Sequence, residues 1–329
     1  MTPIGSVERV ILEQLSQRRE RLAGLAEARG EERLVELLRR VDSALERLEH
    51  GDWGICVVCE GTVEPSRLMA DPTLSICLEC LSAEERRALE HDLQAAVRVQ
   101  AALLPPRTLE HEGWDIAVHW EPRGAVSGDH IDLLKPRAPG EPLHLLLGDV
   151  AGKGVAASLI QSQLHAFLRA LAGGEEGLAR LLGRVNGLLS EATLPSAYAT
   201  LIALRLYPGG KAELANAGHP WPLLADRRGT RPVEGSNLPL GLLPDAEYSS
   251  RWLQLEVGDT LLLYTDGLTE AENGAGEELG IGRAAAALRR AQDRPLPELL
   301  AACRQTMIDF LEGRPRGDDL TLVALRRTE

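Results

Sequence analysis

Apolar residues at Val7, Val10, Ile11, Leu15, Leu22 and Leu25, and again at Leu34, Leu37, Val41, Leu45 and Leu48, recur at the interval of an amphipathic helix. The break at Ala28-Arg29-Gly30 predicts an antiparallel helical hairpin over residues 1–50, with Glu27, Glu31 and Glu32 near its turn. Residues 51–81 lack this period and read as a short, loop-rich module. Ser82-Ala83-Glu84-Glu85 has the form of a capping box and opens a linker helix over 82–104, which Pro105-Pro106 ends. Leu89, Leu93, Ala96, Val99 and Leu103 fall at coiled-coil-like spacing on that helix, which predicts a homodimer through it.

The pattern changes beyond Arg107. β-like runs occupy Asp115–Trp120, Leu143–Leu147, Ala197–Tyr207, Leu261–Thr265 and Leu320–Leu325, and helical patterns fill Val155–Ala172, Gly177–Glu191, Ile281–Ala291 and Leu296–Leu311. Strands in succession with helices in pairs predict an α+β sandwich over residues 105–329 rather than alternating βαβ units.

Composition narrows the function. The 329 residues with 44% hydrophobic content suit about two globular domains. The net charge of -13 is shared by both parts, which excludes a nucleic-acid footprint and predicts no direct DNA binding. The absence of a long apolar run and of a leader-like start predicts a cytoplasmic protein with no membrane segment.

Four of the five cysteines form two C-x2-C pairs, Cys56/Cys59 and Cys77/Cys80, at the spacing with which two knuckles offer four thiolates to one tetrahedral ion. A closed sulfur shell selects one structural Zn²⁺ and leaves no position for a catalytic water. Cys303 reads as a buried small hydrophobe. The sequence around the pairs, Leu45-Glu46-Arg47-Leu48 leading into Gly51-Asp52-Trp53-Gly54-Ile55-Cys56, and Arg67-Leu68-Met69-Ala70-Asp71-Pro72 before the second pair, resembles the DksA/TraR zinc fingers over residues 31–86. That resemblance implies contact with RNA polymerase. Glu60 departs from the pattern, standing where the family has glycine, and the hairpin is shorter than in the longer members.

A second constellation is made of carboxylates. Leu145-Leu146-Leu147-Gly148-Asp149 and Leu261-Leu262-Leu263-Tyr264-Thr265-Asp266-Gly267 each deliver an aspartate from an apolar strand to a glycine turn, Gly317-Asp318-Asp319 opens the last strand, and Ser127-Gly128-Asp129 lies upstream. Taken singly, an aspartate beside glycine is an ordinary turn former. Crowded together, unpaired carboxylates repel and call for cations, and all-oxygen ligands favour Mg²⁺ or Mn²⁺. Two such ions about 3.5–4 Å apart can activate water and hold a phosphoryl group.

These segments, with Gln100-Ala101-Ala102-Leu103-Leu104-Pro105, Gly148-Asp149-Val150-Ala151-Gly152-Lys153-Gly154, Asn216-Ala217-Gly218-His219-Pro220, Leu238-Pro239-Leu240-Gly241 and Tyr264-Thr265-Asp266-Gly267-Leu268-Thr269-Glu270, stand in the order of a known family. Residues 84–328 resemble the stage II sporulation protein E-like, or RsbU-like, serine phosphatases of the metal-dependent protein phosphatase (PPM) superfamily. The resemblance implies an αββα sandwich and two Mn²⁺ or Mg²⁺ ions. Asp149 would bridge the ions, Asp129 would hold one, and Asp266 and Asp318 the other. The Val150 backbone carbonyl is implied as a further ligand, and Asp319 either touches metal or orients Asp318. Asp132, three residues past Asp129, is a candidate support for that ligand.

Lys153, one of only three lysines, stands where many relatives have histidine, so phosphate steering or proton relay is implied as an alternative to a solvated loop charge. His219 reads as a turn residue, and His130 and His165 as packed or surface residues. The implied substrate is a phosphorylated anti-anti-sigma factor, a STAS-domain protein, so that dephosphorylation frees a sigma factor under control of the zinc domain. The alternative is an RNA polymerase-binding zinc-finger regulator whose sandwich is a scaffold or pseudophosphatase.

Overall fold

The computed structural model describes residues 6–29, 32–136, 141–173, 177–193 and 197–329. The chain divides into two compact units, Met1–Leu93 and Gln94–Glu329.

In the first unit, α1 (Ser6–Arg29) and α2 (Glu32–His50) pack through Ile11, Leu15, Val41, Ala44 and Leu48, all but Ala44 among the residues that the helical period singles out. The predicted turn at Ala28-Arg29-Gly30 and the acidic residues beside it lie outside the described residues and side chains. A short helix, α3 (Pro65–Ala70), and a single 3₁₀ turn at Leu78–Cys80 frame the cysteine module. Its core is Cys56, Val63, Leu68 and Cys77, with Trp53 shared between this core and that of the hairpin. Arg40 ties the hairpin to the module through Asp71 at 3.1 Å and Thr73 at 3.1 Å, and the Trp53 indole donates to the Pro72 carbonyl at 2.9 Å. Helix α4 (Ala83–Leu103) begins with the predicted box: Glu85 N–H donates to Ser82 Oγ, and Ser82 N–H to the Glu85 carboxylate.

The second unit continues with β1 (Thr108–His111), β2 (Trp114–Glu121), β3 (Asp129–Leu134), β4 (Leu143–Val150), α5 (Gly154–Leu171), α6 (Leu178–Ala192), β5 (Ala199–Leu206), β6 (Lys211–Ala217), β7 (Leu223–Asp226), β8 (Gly229–Pro232), β9 (Arg251–Gln254), β10 (Thr260–Tyr264), α7 (Asp266–Thr269), α8 (Gly280–Ala291), α9 (Leu296–Leu311) and β11 (Leu320–Arg327). Two antiparallel sheets form, one in the order β1-β2-β11-β10-β7-β8 and the other β3-β4-β5-β6-β9. Strand β4 explains the layering. Leu143, Leu145 and Leu147 point into a core between the sheets with Ile202, Leu261, Leu263 and Val323, while Leu146 and Val150 lie under α5 and α6. Both faces are covered, so the run is apolar without alternation. Helices α8 and α9 cover the outer face of the first sheet through Leu288, Leu299, Cys303 and Met307. The result is the αββα sandwich, and Cys303 is a core residue.

Candidate functional site

Strands β3 and β4 pair in a register that sets Asp129 opposite Asp149. Because side chains alternate along a strand, both carboxylates share the inter-sheet face with Ile131, Leu145 and Leu147, at the rim where that core ends. From the other sheet, β10 ends at Tyr264 just before Asp266, and β11 begins at Leu320 just after Asp318 and Asp319, with Tyr264 paired to Leu322. The four predicted acidic stations therefore meet at one rim of the sandwich, and the charge of Asp149 is felt by, and feels, its neighbours.

That crowding shows in their proton affinities. Burial and then Asp149 hold the Asp129 carboxyl well above its usual range, against the pull of Thr321. Burial, then Asp266 and Asp318, push Asp149 up to about 7. Burial and then Asp318 raise Asp266. Asp129 is only 3% exposed, and its carboxylate accepts from Thr321 Oγ1 at 2.5 Å and Thr265 Oγ1 at 3.1 Å, while its backbone N–H donates to Ser127 Oγ at 3.0 Å. Thr265 and Thr321 belong to the opposite sheet, so this carboxylate pins the two sheets together at the site.

Asp319 serves the turn before β3. Its Oδ1 accepts the Arg123 N–H at 2.6 Å, and its Oδ2 accepts Ser127 Oγ at 2.8 Å and the Gly128 N–H at 3.0 Å. Its own N–H donates to Asp318 Oδ1 at 2.9 Å. From α4, the buried Gln100 amide donates to the Ser127 carbonyl at 2.7 Å and accepts the Ser127 N–H at 2.9 Å. Arg316 fixes the loop before Asp318 by donating to the carbonyls of Glu121 at 2.9 Å and Pro122 at 3.1 Å.

Two glycines are dictated by close approach. A Cβ at Gly267 would come within 1.9 Å of the Asp319 carbonyl oxygen. A Cβ at Gly128 would come within 3.1 Å of the Val150 carbonyl oxygen and 3.3 Å of Asp149 Oδ1, so Gly128 leaves open a cradle lined by those two oxygens. The donors around this cradle are all oxygens, and burial with mutual repulsion keeps the carboxyls raised even with Lys153 close by. Both features suit a hard divalent cation. The aspartates are more widely spread than a single-ion shell: among the described residues, only the cysteines form a set of three or more such donors all within 4.8 Å of one another.

Two clefts flank the aspartates. One, of about 360 Å³, is lined by Asp149, Thr200, His219, Trp221, Asp266 and Glu270; the other, of about 520 Å³, by Lys153, Glu270, Arg314, Gly317 and Asp318 among others. Lys153 Nζ lies 2.6 Å from Asp318 Oδ2 and 3.0 Å from the Gly317 carbonyl oxygen. Glu270 enters both clefts, and burial followed by Asp266 raises its carboxyl. Glu270 closes the Tyr264–Glu270 motif, where nothing local marks it as a cleft residue.

The histidines serve the scaffold. Asn216 closes a turn by accepting the His219 N–H at 2.8 Å and donating to its carbonyl at 2.9 Å. Burial lowers the His219 imidazole to about 3, and its Nδ1 pairs with Thr200 Oγ1 at 2.9 Å. Asp132 does not support Asp129. Three residues along a strand is an odd step, which turns its side chain to the opposite face of the sheet. There it is fully buried and held by Arg169 in two contacts of 2.7 and 2.9 Å, beside His130, Gln161 and His165.

In the first unit, Cys56, Cys59, Cys77 and Cys80 converge, with Cys59 Sγ and Cys77 Sγ 3.7 Å apart. A tetrahedral ion with metal–sulfur bonds of about 2.3 Å requires sulfurs about 3.8 Å apart, so the four could hold a metal ion. The Cys77 N–H, donating to Cys56 Sγ, lowers that thiol to about 6. Glu60, in the position where the resemblance expects glycine, adopts φ 57°, the left-handed backbone that glycine favours.

Comparison with known proteins agrees with this geometry. Over 257 residues the chain is 26% identical to the phosphoserine phosphatase RsbU of Bacillus subtilis, covering 74% of this chain and 72% of RsbU. It is 24% identical over 265 residues to protein IcfG of Synechocystis sp., covering 72% of this chain but 41% of IcfG. Its fold is that of the PP2C domain of SiaA from Pseudomonas aeruginosa, with a TM-score of 0.65 at 24% identity over 74% of this chain and 98% of that one. A separate stretch of 61 residues is 31% identical to the RNA polymerase-binding transcription factor DksA of Haemophilus influenzae, covering 18% of this chain and 42% of DksA. Among the described residues no helix is long and apolar enough to cross a membrane. Residues 139–328 match the family described as Stage II sporulation protein E (SpoIIE), and the chain belongs to that family.

Proposed function

We propose that the chain is a metal-dependent protein serine/threonine phosphatase of the cytoplasm. The observation that carries this reading is the convergence of Asp129, Asp149 and Asp266 with raised carboxyls beside Asp318, at the rim of a PP2C-type sandwich. In this reading Asp149 would serve both of two Mn²⁺ or Mg²⁺ ions. Asp129 and the Val150 carbonyl serve one, and Asp266 and Asp318 the other. Division between two ions accounts for a carboxylate set spread more widely than one shell. Asp319, its oxygens occupied by three donors, holds the Arg123–Gly128 turn rather than a metal.

When bound, the ions supply a water of lowered pKa and a positive seat for the phosphoryl oxygens. The protein's part is positional. Thr265 and Thr321 fix Asp129, and Gly128 keeps a side chain out of the cradle. Lys153 and Arg314 line one approach with positive charge, and Trp221 gives the other an apolar wall. A phosphoserine or phosphothreonine enters as a dianion, which this arrangement of cations favours.

The proposed substrate is a phosphorylated STAS-domain anti-anti-sigma factor, supported by the relation to the phosphoserine phosphatase RsbU. The four cysteines hold a structural Zn²⁺, and α4 joins its own copy in a homodimer through Leu89, Leu93, Val97 and Val99, which are exposed. Control of the site by α4 is supported by Gln100, which grips the turn bearing Asp129. A second reading, an RNA polymerase-binding regulator, is favoured by the similarity to DksA. It is compatible with the first if the phosphatase works at the transcription machinery.

The test is hydrolysis of a phospho-STAS protein by the purified chain with Mn²⁺. Asp149→Asn should abolish turnover while the fold and bound zinc remain. Unchanged turnover in that variant would refute the mechanism.

A further inference from the structure

Among the ion pairs described, Lys153 is the one positive side chain set against a carboxylate of the four predicted metal-binding aspartates: its ammonium is 2.6 Å from Asp318 Oδ2. A second acceptor, the Gly317 carbonyl at 3.0 Å, keeps it against the loop that opens β11. The side chain is 56% exposed and lines the 520 Å³ cleft, so its long stem can swing without disturbing the core.

The proposed function gives the Asp318 carboxylate to a divalent ion, and the present inference rests on that reading. Such an ion binds a carboxylate oxygen at about 2.1 Å. An ammonium 2.6 Å from the same oxygen would then stand within a few ångströms of a double positive charge, with little water between them. The two cations exclude one another at that oxygen.

We propose that Lys153 competes with the divalent cation for Asp318, setting the affinity of that ion, and that its ammonium turns into the cleft when the ion binds. Lys153 thus has two stations. In one it neutralises Asp318; in the other it adds positive charge to the wall along which a phosphorylated side chain approaches. The competition keeps this carboxylate from standing as an uncompensated charge, and it raises the divalent-ion concentration at which the site fills.

The experiment is calorimetric titration of Mn²⁺ into the full, zinc-loaded chain as wild type, Lys153→Met, Lys153→Gln and Arg314→Met, with thermal melts confirming that each is folded. Methionine keeps the stem and removes the charge. Arg314 lines the same cleft but donates to the Gly274 carbonyl at 3.2 Å, and so reports the effect of losing a nearby charge without losing the contact. Both Lys153 variants should bind one Mn²⁺ about three- to tenfold more tightly, from an exposed ion pair and the repulsion that replaces it. Arg314→Met should shift affinity less than about twofold. Unchanged or weaker binding in the Lys153 variants overturns the proposal, and so does an equal gain in Arg314→Met. Wild type that takes up no Mn²⁺ would overturn the two-ion reading itself, and the competition with it.

Discussion

Asp319→Asn separates a residue that holds the site from one that ligates within it. The Asp319 carboxylate accepts three hydrogen bonds, two of them from Ser127 Oγ and the Gly128 N–H beside the Asp149 carboxylate. Asparagine can keep its oxygen toward Ser127 and Gly128. Its amide then faces the Arg123 N–H, donor against donor, and the two surviving bonds lose their charge. Hydrogen bonds to a charged acceptor contribute about 1.5–3 kcal/mol and neutral ones about 1 kcal/mol. The turn should therefore lose about 2–4 kcal/mol, part of it offset by water at exposed Arg123. Loss of a residue that orients a ligand typically lowers metal affinity or activity about 10–100-fold. Mn²⁺ titration and steady-state kinetics on Asp319→Asn, with Asp318→Asn alongside, read the difference. Asp319→Asn should bind both ions more weakly and retain measurable turnover, whereas Asp318→Asn should lose one ion. Wild-type affinity in Asp319→Asn, or loss of an ion equal to that in Asp318→Asn, would refute this assignment.

Stability should depend on pH in a defined sense. Asp129, Asp149 and Asp266 have raised carboxyls in the folded chain, so between about pH 4 and 7 the unfolded chain releases protons that the folded one keeps, and stability without divalent ions falls as pH rises through that window. Melts from pH 5 to 8 should show the fall, and a larger gain in Tm from Mn²⁺ at pH 7.5 than at pH 5.5, because the ion must displace those protons. Arg169→Met strands the fully buried Asp132 and should cost about 2–4 kcal/mol, seen as a Tm lower by roughly 5–10 °C, with Mn²⁺ affinity unchanged. In the finger, Cys56→Ser should lower bound zinc from one equivalent to near none by elemental analysis, with loss of protection from proteolysis confined to the cysteine module.

The parts of the fold visible in the sequence are those where a single periodicity decides. Strand β4 is apolar on both faces because it lies between two cores, and α9 shows its Leu296–Leu311 span through an unbroken helical stripe. Strand β3 is hidden because its helix-facing positions are His130 and Asp132, polar residues whose partners, Gln161 and Arg169, lie more than thirty residues away. Strand β6, Lys211–Ala217, is hidden because its buried positions are alanines together with Glu213 and Asn216, with Leu214 the one large apolar residue, and these carry little β-signal. The same limit applies at the site. Asp129, Asp149, Asp266 and Asp318 were marked by their glycine-flanked turns, and the structure brings them to one rim. The side chains that hold them, Ser127, Thr265 and Gln100 within the motifs and Thr321 within the last β-like run, carry no local sign of their duty, since their partners lie in distant segments. Asp132 was misread because a step of three residues keeps a face on a helix and reverses it on a strand.

Anomalous diffraction from a crystal of the full chain grown with MnCl₂ decides whether carboxylates from the two sheets share a pair of divalent ions. Two manganese peaks about 3.5–4 Å apart, with Asp149 between them, Asp129 on one side and Asp266 and Asp318 on the other, are the predicted result. A chain that binds no manganese at this rim, or binds it only at the cysteines, would contradict the account.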